Sequence, residues 1–319
     1  MRRLESIVTR RIKVTDPWWE IVYEWENAIA DALRLHFDAP ELCRYRSPAM
    51  ADSLALMFQM RATQWSEYNR ANLLPCIIDF YLRGDEQLSQ FNREFSNHPI
   101  VFVSSREAYE YLDAYGCPLN IKHLALSLPD KYAITASTRF EKKIDLITLG
   151  RPSRKMIEWL EKYAAAHPDF VYANRLWIKK STNGEHYTKY VTNKGVTLGY
   201  GDTRKEYFDL MRSAKVSLYS TPGVDGDRPE SNGYDQVTPR FLEMLASGCH
   251  VIARYSKNAD TDWFDMASIC PSTESYEQFE AALDYARTHD VDMAKHAQYL
   301  SRHYTSCRAK ELAAMVEGG

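Results

Sequence analysis

The strongest constraint on the fold comes from residues 233–253, which read GYDQVTPRFLEMLASGCHVIA. Thr238 is a preferred N-cap residue, and Pro239 suits the first helical position because its missing N–H needs no partner there. Gly248 then ends the helix, and Val251 begins a short apolar run. The stretch therefore predicts a loop, a short helix, a tight turn and a buried strand.

Two carboxylates accompany this helix. Asp235 lies in the preceding loop and Glu243 on the helix itself, with seven residues between them. The free N–H groups and the positive dipole at a helix N-terminus favour a nearby anion. Together these groups predict a site for a ligand that carries both hydroxyls and phosphate. An ordinary amphipathic helix with a surface Glu243 is the alternative.

The same stretch resembles the acid motif of retaining glycosyltransferases with the GT-B fold, the large group often called family 4. Its members carry two Glu at this spacing, followed by a small-residue turn and a strand in the style EAMASGxPVIA. Residues 243–253, EMLASGCHVIA, match this pattern, whereas Asp235 stands where the family usually has Glu. The segment TPRFLE, residues 238–243, also resembles the corresponding segment in the branch related to spore maturation glycosyltransferases.

Length and composition exclude several classes of protein. The chain has 319 residues, which suits about two domains, each with its own core. Its formal net charge of −3 argues against a dedicated nucleic-acid binder. No apolar run approaches the roughly 18 residues of a membrane span, and the N-terminus lacks the apolar core of a signal peptide. The six cysteines are scattered, which favours reduced thiols in a cytoplasmic protein.

Basic residues dominate positions 2–13, which contain five Arg and Lys. A solvated arm is the simpler interpretation. Peripheral contact with the inner face of a membrane is the alternative, at about 1 kcal/mol per basic residue near an anionic surface.

The first half of the chain alternates apolar runs with helical patterns. Strands are predicted at 54–60, 73–81, 100–104 and 121–128, and helices at 17–37, 85–95 and 106–115. This alternation predicts a parallel sheet whose ligands bind beyond the carboxyl ends of its strands. Asp79 is in such a position and could orient an acceptor hydroxyl or act as a base, with a cap or turn residue as the alternative. Many family members have His before this Asp, but here Ile78 precedes it.

The second half begins with a strand at 144–149, a glycine and a helix with basic residues at its entrance. Arg151 can grip a phosphate with two hydrogen bonds, and Lys155 can add a point charge. These residues predict an anion site, with solvent-facing charge as the alternative. The family holds the donor diphosphate with an Arg and a nearby Lys here. The resemblance carries over to Arg151 and Lys155, with Arg154 as a substitute for the lysine.

Further elements follow the same pattern. We predict strands at 169–173, 196–200, 215–219 and 267–270, helices at 204–213, 276–288 and 293–316, and a polar excursion at 174–193. In the family, the loop after the third strand lies against the nucleotide base. Gly199 and Tyr200 occupy that position, where Tyr200 could stack on a base or form part of the rim.

The loop 220–235 contains Asp225 and Asp227, a D-x-D pair of the kind that holds a divalent metal in GT-A glycosyltransferases. Such pairs arise often by chance in Asp-rich loops, and a second copy occurs at 260–262. We favour a loop that approaches the donor sugar, with Tyr234 and Asp235 near its hydroxyls.

The sequence therefore predicts an α/β, GT-B glycosyltransferase with two Rossmann-like domains facing across a cleft. We expect an acceptor-side domain at 1–135, a nucleotide-sugar-binding domain at 136–319, and a C-terminal helix that crosses back to the first domain. The residues assigned to donor binding are Arg151, Lys155, Gly199, Tyr200, Tyr234, Thr238, Arg240 and Glu243, and those assigned to catalysis are Asp235 and Asp79.

The resemblance implies a role for each group. Glu243 would bind the ribose hydroxyls, Asp235 a donor-sugar hydroxyl, and the helix start at Thr238 the leaving diphosphate. Arg240 would reach phosphate or pair with Asp235. The resemblance further implies retention at the anomeric carbon, no metal and no resident cofactor. The donor would be a UDP- or GDP-linked sugar, and the acceptor a hydroxyl of a glycan or lipid-linked molecule in surface polysaccharide or glycoconjugate synthesis.

Two other functions stay open. One is a catalytically silent GT-B relative that binds a sugar nucleotide or a glycan. The other is a metal-dependent, GT-A-like transferase that uses Asp225 and Asp227.

Overall fold

A computed structural model describes residues 3–9, 20–38, 53–62, 72–179 and 186–318. Within these residues, the first half of the chain forms a six-stranded parallel sheet in the order β2-β1-β3-β4-β5-β6. Its strands are β1 (Arg3–Val8), β2 (His36–Asp38), β3 (Ser53–Arg61), β4 (Leu73–Asp79), β5 (Val101–Val103) and β6 (Ile121–His123). Its helices are α1 (Glu20–Leu33), α2 (Asp85–Phe95) and α3 (Arg106–Tyr115).

The second half forms another six-stranded sheet, in the order β10-β9-β8-β7-β11-β12. Its strands are β7 (Ile144–Ile147), β8 (Tyr172–Lys179), β9 (His186–Thr192), β10 (Thr197–Tyr200), β11 (Ala214–Ser220) and β12 (His250–Arg254). The helices are α4 (Arg154–Ala166), α5 (Arg204–Arg212), α6 (Pro239–Ala246), α7 (Ala259–Trp263), α8 (Met266–Ile269), α9 (Tyr276–Thr288), α10 (Met293–Leu300) and α11 (Thr305–Glu317).

The central strands β3 and β4 are buried on both faces, which explains their nearly continuous apolar sequences. In the second sheet, β7, β8, β11 and β12 run parallel. The motif helix α6 packs into the core beside them, because Phe241, Leu242 and Met244 are fully buried. This burial fixes the position of its N-terminus and of Glu243.

The prediction of a polar excursion at 174–193 was wrong. β8 and β9 form an antiparallel pair there, and β10 continues it. Such a pair needs only one covered face, so Asn174 is exposed while Thr188, Tyr190 and Thr192 are buried. The alternation was too irregular to predict a strand.

Other elements also differ from the sequence-based expectation, and the strand predicted at 121–128 ends at His123. The short apolar run at 267–270 forms the helix α8, since periodicity cannot distinguish a strand from a helix over so few residues. The predicted helix at 17–37 ends at Leu33, after which Arg34 has a φ of 56°, and residues 36–38 are a strand. Residues 17–19 of that helix, and positions 2 and 10–13 of the basic arm, lie outside the described residues.

The helix predicted at 293–316 is two helices, and the second crosses back to the first sheet. The break lies at 301–304, where the Leu128 N–H donates to the His303 carbonyl at 2.9 Å. Beyond it, α11 packs on α1, and Ala309, Leu312 and Val316 join the core of the first sheet. The predicted crossover helix is therefore present. The predicted domain boundary at 135/136, which remains a prediction, falls between β6 and β7.

Candidate active site

One cavity of about 490 Å³ joins the two sheets. The first sheet contributes the carboxyl end of β4, with Asp79, and the exposed side of α1 contributes Ile21. The second half contributes the segment after β10 and the N-terminus of α6, with Thr238, Arg240 and Glu243. The cavity therefore lies where both sheets present strand ends, which is where α/β proteins bind ligands.

Glu243 is buried in this cavity and paired with a cation that the sequence analysis missed. Its side chain is 2.5 Å from Arg204, whose Nε also donates to Glu24 of α1 at 3.2 Å. The Arg204 N–H donates to Glu20 at 2.9 Å. Burial alone would lower the pKa of Arg204, but the Glu243 and Glu24 carboxylates raise it overall. Arg204 thus stays charged and connects the two halves of the cleft.

Arg240 lies in the same cavity and rests on the backbone of Gly150. Gly150 has a φ of +74°, and a Cβ added there would lie 2.2 Å from the Arg240 guanidinium carbon. Arg240 Nε donates to the Tyr207 hydroxyl at 3.1 Å, so the structure pairs it with Tyr207 and not with Asp235. This contact leaves the rest of the guanidinium available to a ligand.

Three further arginines surround Arg240. Arg228 donates to the Arg151 carbonyl at 3.1 Å. Burial lowers the pKa of Arg228, and the charges of Arg240 and Arg151 lower it further. The pKa of Arg175 is likewise lowered by burial first, with contributions from Arg151 and Arg240. Mutual repulsion of this kind favours an anion among them. Sequence reasoning missed Arg175, inside the supposed excursion, and Arg228, inside an acidic loop.

The start of α4 is more exposed than the sequence suggested. Arg154 and Lys155 are exposed side chains, and the Lys155 ammonium lies 5.5 Å from the centre of the Trp159 ring. The Arg154 N–H donates to Asp227 at 2.8 Å. The expected phosphate contact of Lys155 therefore remains a prediction.

Asp225 and Asp227 serve separate partners. Both Asp225 oxygens accept from Arg254, at 2.6 and 2.7 Å, and these hydrogen bonds hold the pKa of Asp225 below its usual range. Asp227 caps α4 through the Arg154 N–H. Among the described residues there is no group of three or more His, Cys, Asp or Glu that could hold a metal.

Asp235 is committed to backbone groups. It is 5% exposed, and its two oxygens accept from the Gly223 N–H at 2.8 Å and the Ser256 N–H at 3.1 Å. Its own N–H donates to Glu107 of α3 at 2.9 Å. Asp235 therefore fastens the loop before α6, and its contact with a sugar stays a prediction.

Tyr234 lies in the core of the first sheet instead of facing a sugar. It is fully buried, and its hydroxyl donates to the Leu82 carbonyl at 2.9 Å. Its ring lies 4.0 Å from the Arg83 guanidinium carbon and packs edge-on against Phe80. Its role is therefore to hold the motif loop against the first sheet.

The remaining predicted residues border the cavity. Thr238 lines it, and the Thr238 N–H donates to the Tyr219 hydroxyl at 2.9 Å. Gly199 and Tyr200 end β10, where Tyr200 is 43% exposed and the following Gly201 lines the cavity. Asp79 also lines the cavity, and burial raises its pKa despite a hydrogen bond with Tyr81.

Two Rossmann-like sheets that share a cavity, with a buried acid and two arginines among its lining residues, have the arrangement of the GT-B fold. Residues 148–314, more than half of the chain, match the family model described as glycosyl transferase-like. The chain belongs to this family. None of the curated proteins matches it significantly.

Solved structures of glycosyltransferases are similar to this chain. AviGT4, a glycosyltransferase involved in avilamycin A biosynthesis, is 12% identical with a TM-score of 0.55, over 99% of this chain and 98% of that one. TarM is 12% identical with a TM-score of 0.54, over 85% and 57%. The pneumococcal O-GlcNAc transferase GtfA, crystallised with UDP and GlcNAc, is 12% identical with a TM-score of 0.49, over 83% of this chain. This chain spans 56% of the length of GtfA.

In the described part of the chain, no helix combines the length and the apolar character that crossing a bilayer requires.

Proposed function

We propose that this glycosyltransferase moves a sugar from a UDP- or GDP-linked donor to a hydroxyl of a glycan or lipid-linked acceptor. The reaction proceeds with retention and without a metal. The observation that carries the proposal is that Arg204, Arg240 and the buried Glu243 line one cavity with Asp79, while Arg151, Arg175 and Arg228 lie close enough to Arg240 for their charges to interact.

The arginine cluster suits the donor diphosphate. The leaving nucleotide departs as an anion, so fixed positive charge lowers the barrier to its departure. The charges of Arg228 and Arg240 repel each other, and a diphosphate between them would relieve that repulsion. The N-terminus of α6 adds its dipole from the same side.

The other end of the donor lies at Glu243 and the segment after β10. A carboxylate can accept hydrogen bonds from both hydroxyls of a ribose. Glu243 retains acceptor capacity beside Arg204, because a carboxylate offers about four lone-pair sites. The base would then lie along Gly199 and Tyr200.

The absence of a metal requirement is supported by the positive charge already present. Arg254 occupies both oxygens of Asp225, so the D-x-D pair offers no joint ligand set. Arginines would neutralise the diphosphate in place of a cation. The proton of the acceptor hydroxyl would pass to the leaving phosphate, with Asp79 orienting the hydroxyl.

A donor-binding experiment tests the proposal. UDP- and GDP-sugars should raise the melting temperature by several degrees in the presence of EDTA, since a ligand at 100 times its Kd adds about 2.7 kcal/mol to the free energy of unfolding. Arg228→Gln should abolish the shift. Arg302→Gln, which changes an exposed arginine that does not line the cavity, should preserve it.

Each other result has a definite meaning. A shift that requires metal would refute metal independence and favour Asp225 and Asp227. No shift with any donor would refute the donor site. Binding without transfer or hydrolysis would identify a catalytically silent relative. The hydrogen bonds that Asp235 accepts from the backbone N–H groups of Gly223 and Ser256 are also consistent with that function.

A further inference from the structure

One buried carboxylate connects the two halves of the chain behind the cavity. Asp260 of α7 is fully buried, and no step of the proposed reaction uses it. Its Oδ1 accepts from the Arg106 N–H at 2.5 Å, and its Oδ2 accepts from the Val237 N–H at 2.7 Å. Arg106 starts α3 of the first half, 154 positions earlier, whereas Val237 lies in the loop before α6. The two oxygens of one side chain are therefore divided between the two halves.

The start of α3 depends on this contact. Arg106 is the first residue of α3, so no carbonyl within the helix can accept from its N–H. The N-cap residue, Ser105, accepts from the Ala108 N–H instead. Asp260 thus completes the cap of α3 from the second half of the chain.

The motif loop, residues 232–238, is held in place mainly by side chains. Its backbone N–H groups at positions 235, 237 and 238 donate to Glu107, to Asp260 and to the Tyr219 hydroxyl. Two of these three acceptors involve α3, because Glu107 lies on it and Asp260 caps it. The loop leads directly into Pro239, the first residue of α6. The position of the α6 N-terminus therefore depends on α3 of the first half.

We propose that Asp260 is a positioning residue, which fixes the N-terminus of α6 against α3 and thereby places the groups that face the donor diphosphate. This role rests on the proposed function, because α6 contributes Arg240 and its N-terminal dipole to that site. Asp260 is not among the residues that line the cavity, so it acts through the loop and not on the ligand.

The ionised form of Asp260 is the one that accepts from both N–H groups, since a protonated carboxyl has one oxygen that donates. Burial raises the pKa of Asp260 to about 7, and its two N–H partners oppose this shift. The charges of Glu107 on α3 and Asp235 in the motif loop raise the pKa further. The contact should therefore weaken as the pH falls through about 7.

A matched pair of variants at Arg106 tests the role of α3. Proline suits the first position of a helix, and Ser105 already has the extended ψ of 127° that a following proline requires. Arg106→Pro removes the N–H that Asp260 accepts, whereas Arg106→Ala keeps it. Both lose the exposed side-chain contact with Glu110. By calorimetric titration with UDP and GDP, Arg106→Pro should weaken binding at least about fivefold, and Arg106→Ala should leave it unchanged.

A substitution of Asp260 tests the carboxylate itself. The amide in Asp260→Asn keeps one acceptor oxygen but turns an NH2 group towards the other N–H, so it resembles the protonated acid. Relative to the wild type, we expect nucleotide affinity to be about tenfold weaker at about pH 8, with the ratio approaching one at about pH 5.5. Asp145→Asn is the control, because Asp145 accepts from the Val171 N–H at 2.9 Å but does not line the cavity. Its ratio should stay near one at both pH values.

Hydrogen exchange without ligand separates positioning from a general loss of stability. Asp260→Asn and Arg106→Pro should both speed exchange in peptides that cover residues 104–109 and 232–240, because the contact joins these two segments. Asp145→Asn should change neither segment. This measurement also decides the matter if one of the two variants is too unstable for titration.

Three results would overturn the proposal. One is normal nucleotide affinity in both Arg106→Pro and Asp260→Asn. Another is tighter binding in Asp260→Asn, which would mean that the carboxylate acts on the anion through its charge. The third is an affinity ratio for Asp260→Asn that does not change with pH. Failure of the wild type to bind either nucleotide would instead refute the proposed donor function. Coupled exchange of the two segments would then still support the placement of α6 by Asp260, and unchanged exchange would refute it.

Discussion

The Arg204 guanidinium donates to the Glu243 carboxylate across 2.5 Å, from the start of α5 to the middle of α6. Because it also reaches Glu24 of α1, one largely buried cation contacts two buried acids on opposite sides of the cleft, and Lys131 pairs with Glu24 as well, at 2.8 Å. A ribose that binds to Glu243 would therefore contact a carboxylate that already accepts a hydrogen bond from Arg204.

Removal of this cation should be costly. Arg204→Met would leave Glu243 buried without its cation, whereas Glu24 would keep Lys131 at 2.8 Å, and we expect the free energy of unfolding to fall by about 3–5 kcal/mol. Urea denaturation measures the change. Arg302→Met is the control, because its 3.5 Å pair with Asp265 is exposed on both sides and should contribute less than about 1 kcal/mol. Equal losses in the two variants would show that the Arg204 pair is solvated.

Gly150 should be required for donor binding. Alanine there must adopt a left-handed backbone conformation, which costs about 1–2 kcal/mol of stability. Its Cβ would also displace the Arg240 guanidinium, which lies against Gly150. We expect Gly150→Ala to lower both the melting temperature and the affinity for UDP. Gly195→Ala has a similar φ of +78° but open space around the Cβ, so it should lower only the stability. Unchanged UDP affinity in Gly150→Ala would remove Arg240 from the donor site.

Asp235 offers a test of how this chain departs from the usual motif. The family places Glu here, yet the shorter Asp235 side chain fits two backbone N–H groups in a site that is 5% exposed. Asp235→Glu should therefore overpack the loop and reduce the free energy of unfolding by about 1–3 kcal/mol. The exposed Asp262→Glu should change it by less than about 0.5 kcal/mol. An Asp235→Glu variant with normal stability and tighter UDP-sugar binding would favour the sugar contact.

Local signals in the sequence were sufficient for much of the fold. The helices α2, α3 and α9 have the predicted bounds, because their periodicity is clear and a Ser cap marks the start of α3 and of α9. The motif helix α6 also begins at the predicted Pro239. These features depend on neighbours within a few residues, which a single sequence displays.

The missing parts of the site depend on distant partners. Arg204 meets Glu24 across 180 positions, and Gln236 meets Ser104 across 132. No spacing rule connects residues so far apart, and an arginine or glutamine at a loop or helix start is ordinary in itself. For Asp235, the motif predicted the position of the residue in the sequence but not its hydrogen bonds with the backbone N–H groups of Gly223 and Ser256.

Acid should weaken the contact between the two halves through His123. His123 Nε2 lies 3.2 Å from the Ser104 carbonyl, and its ring lies 5.2 Å from the Trp263 ring of α7. Burial lowers the pKa of His123 to about 4, with a further contribution from the Arg106 charge. The unfolded chain, with an ordinary histidine pKa of about 6.5, therefore binds more protons than the folded chain between about pH 6.5 and 4.

The free energy of unfolding should consequently fall as the pH drops through this window, by at most about 1.4 kcal/mol per pH unit from this residue. His123→Gln keeps a donor for the Ser104 carbonyl but cannot take up a proton. Urea denaturation of both proteins should therefore give a stability difference that favours the wild type most at neutral pH and narrows, or reverses, on acidification. A difference that is constant with pH would mean that the ring titrates in the folded state as it does in the unfolded chain, and that the contact with Trp263 does not keep it neutral.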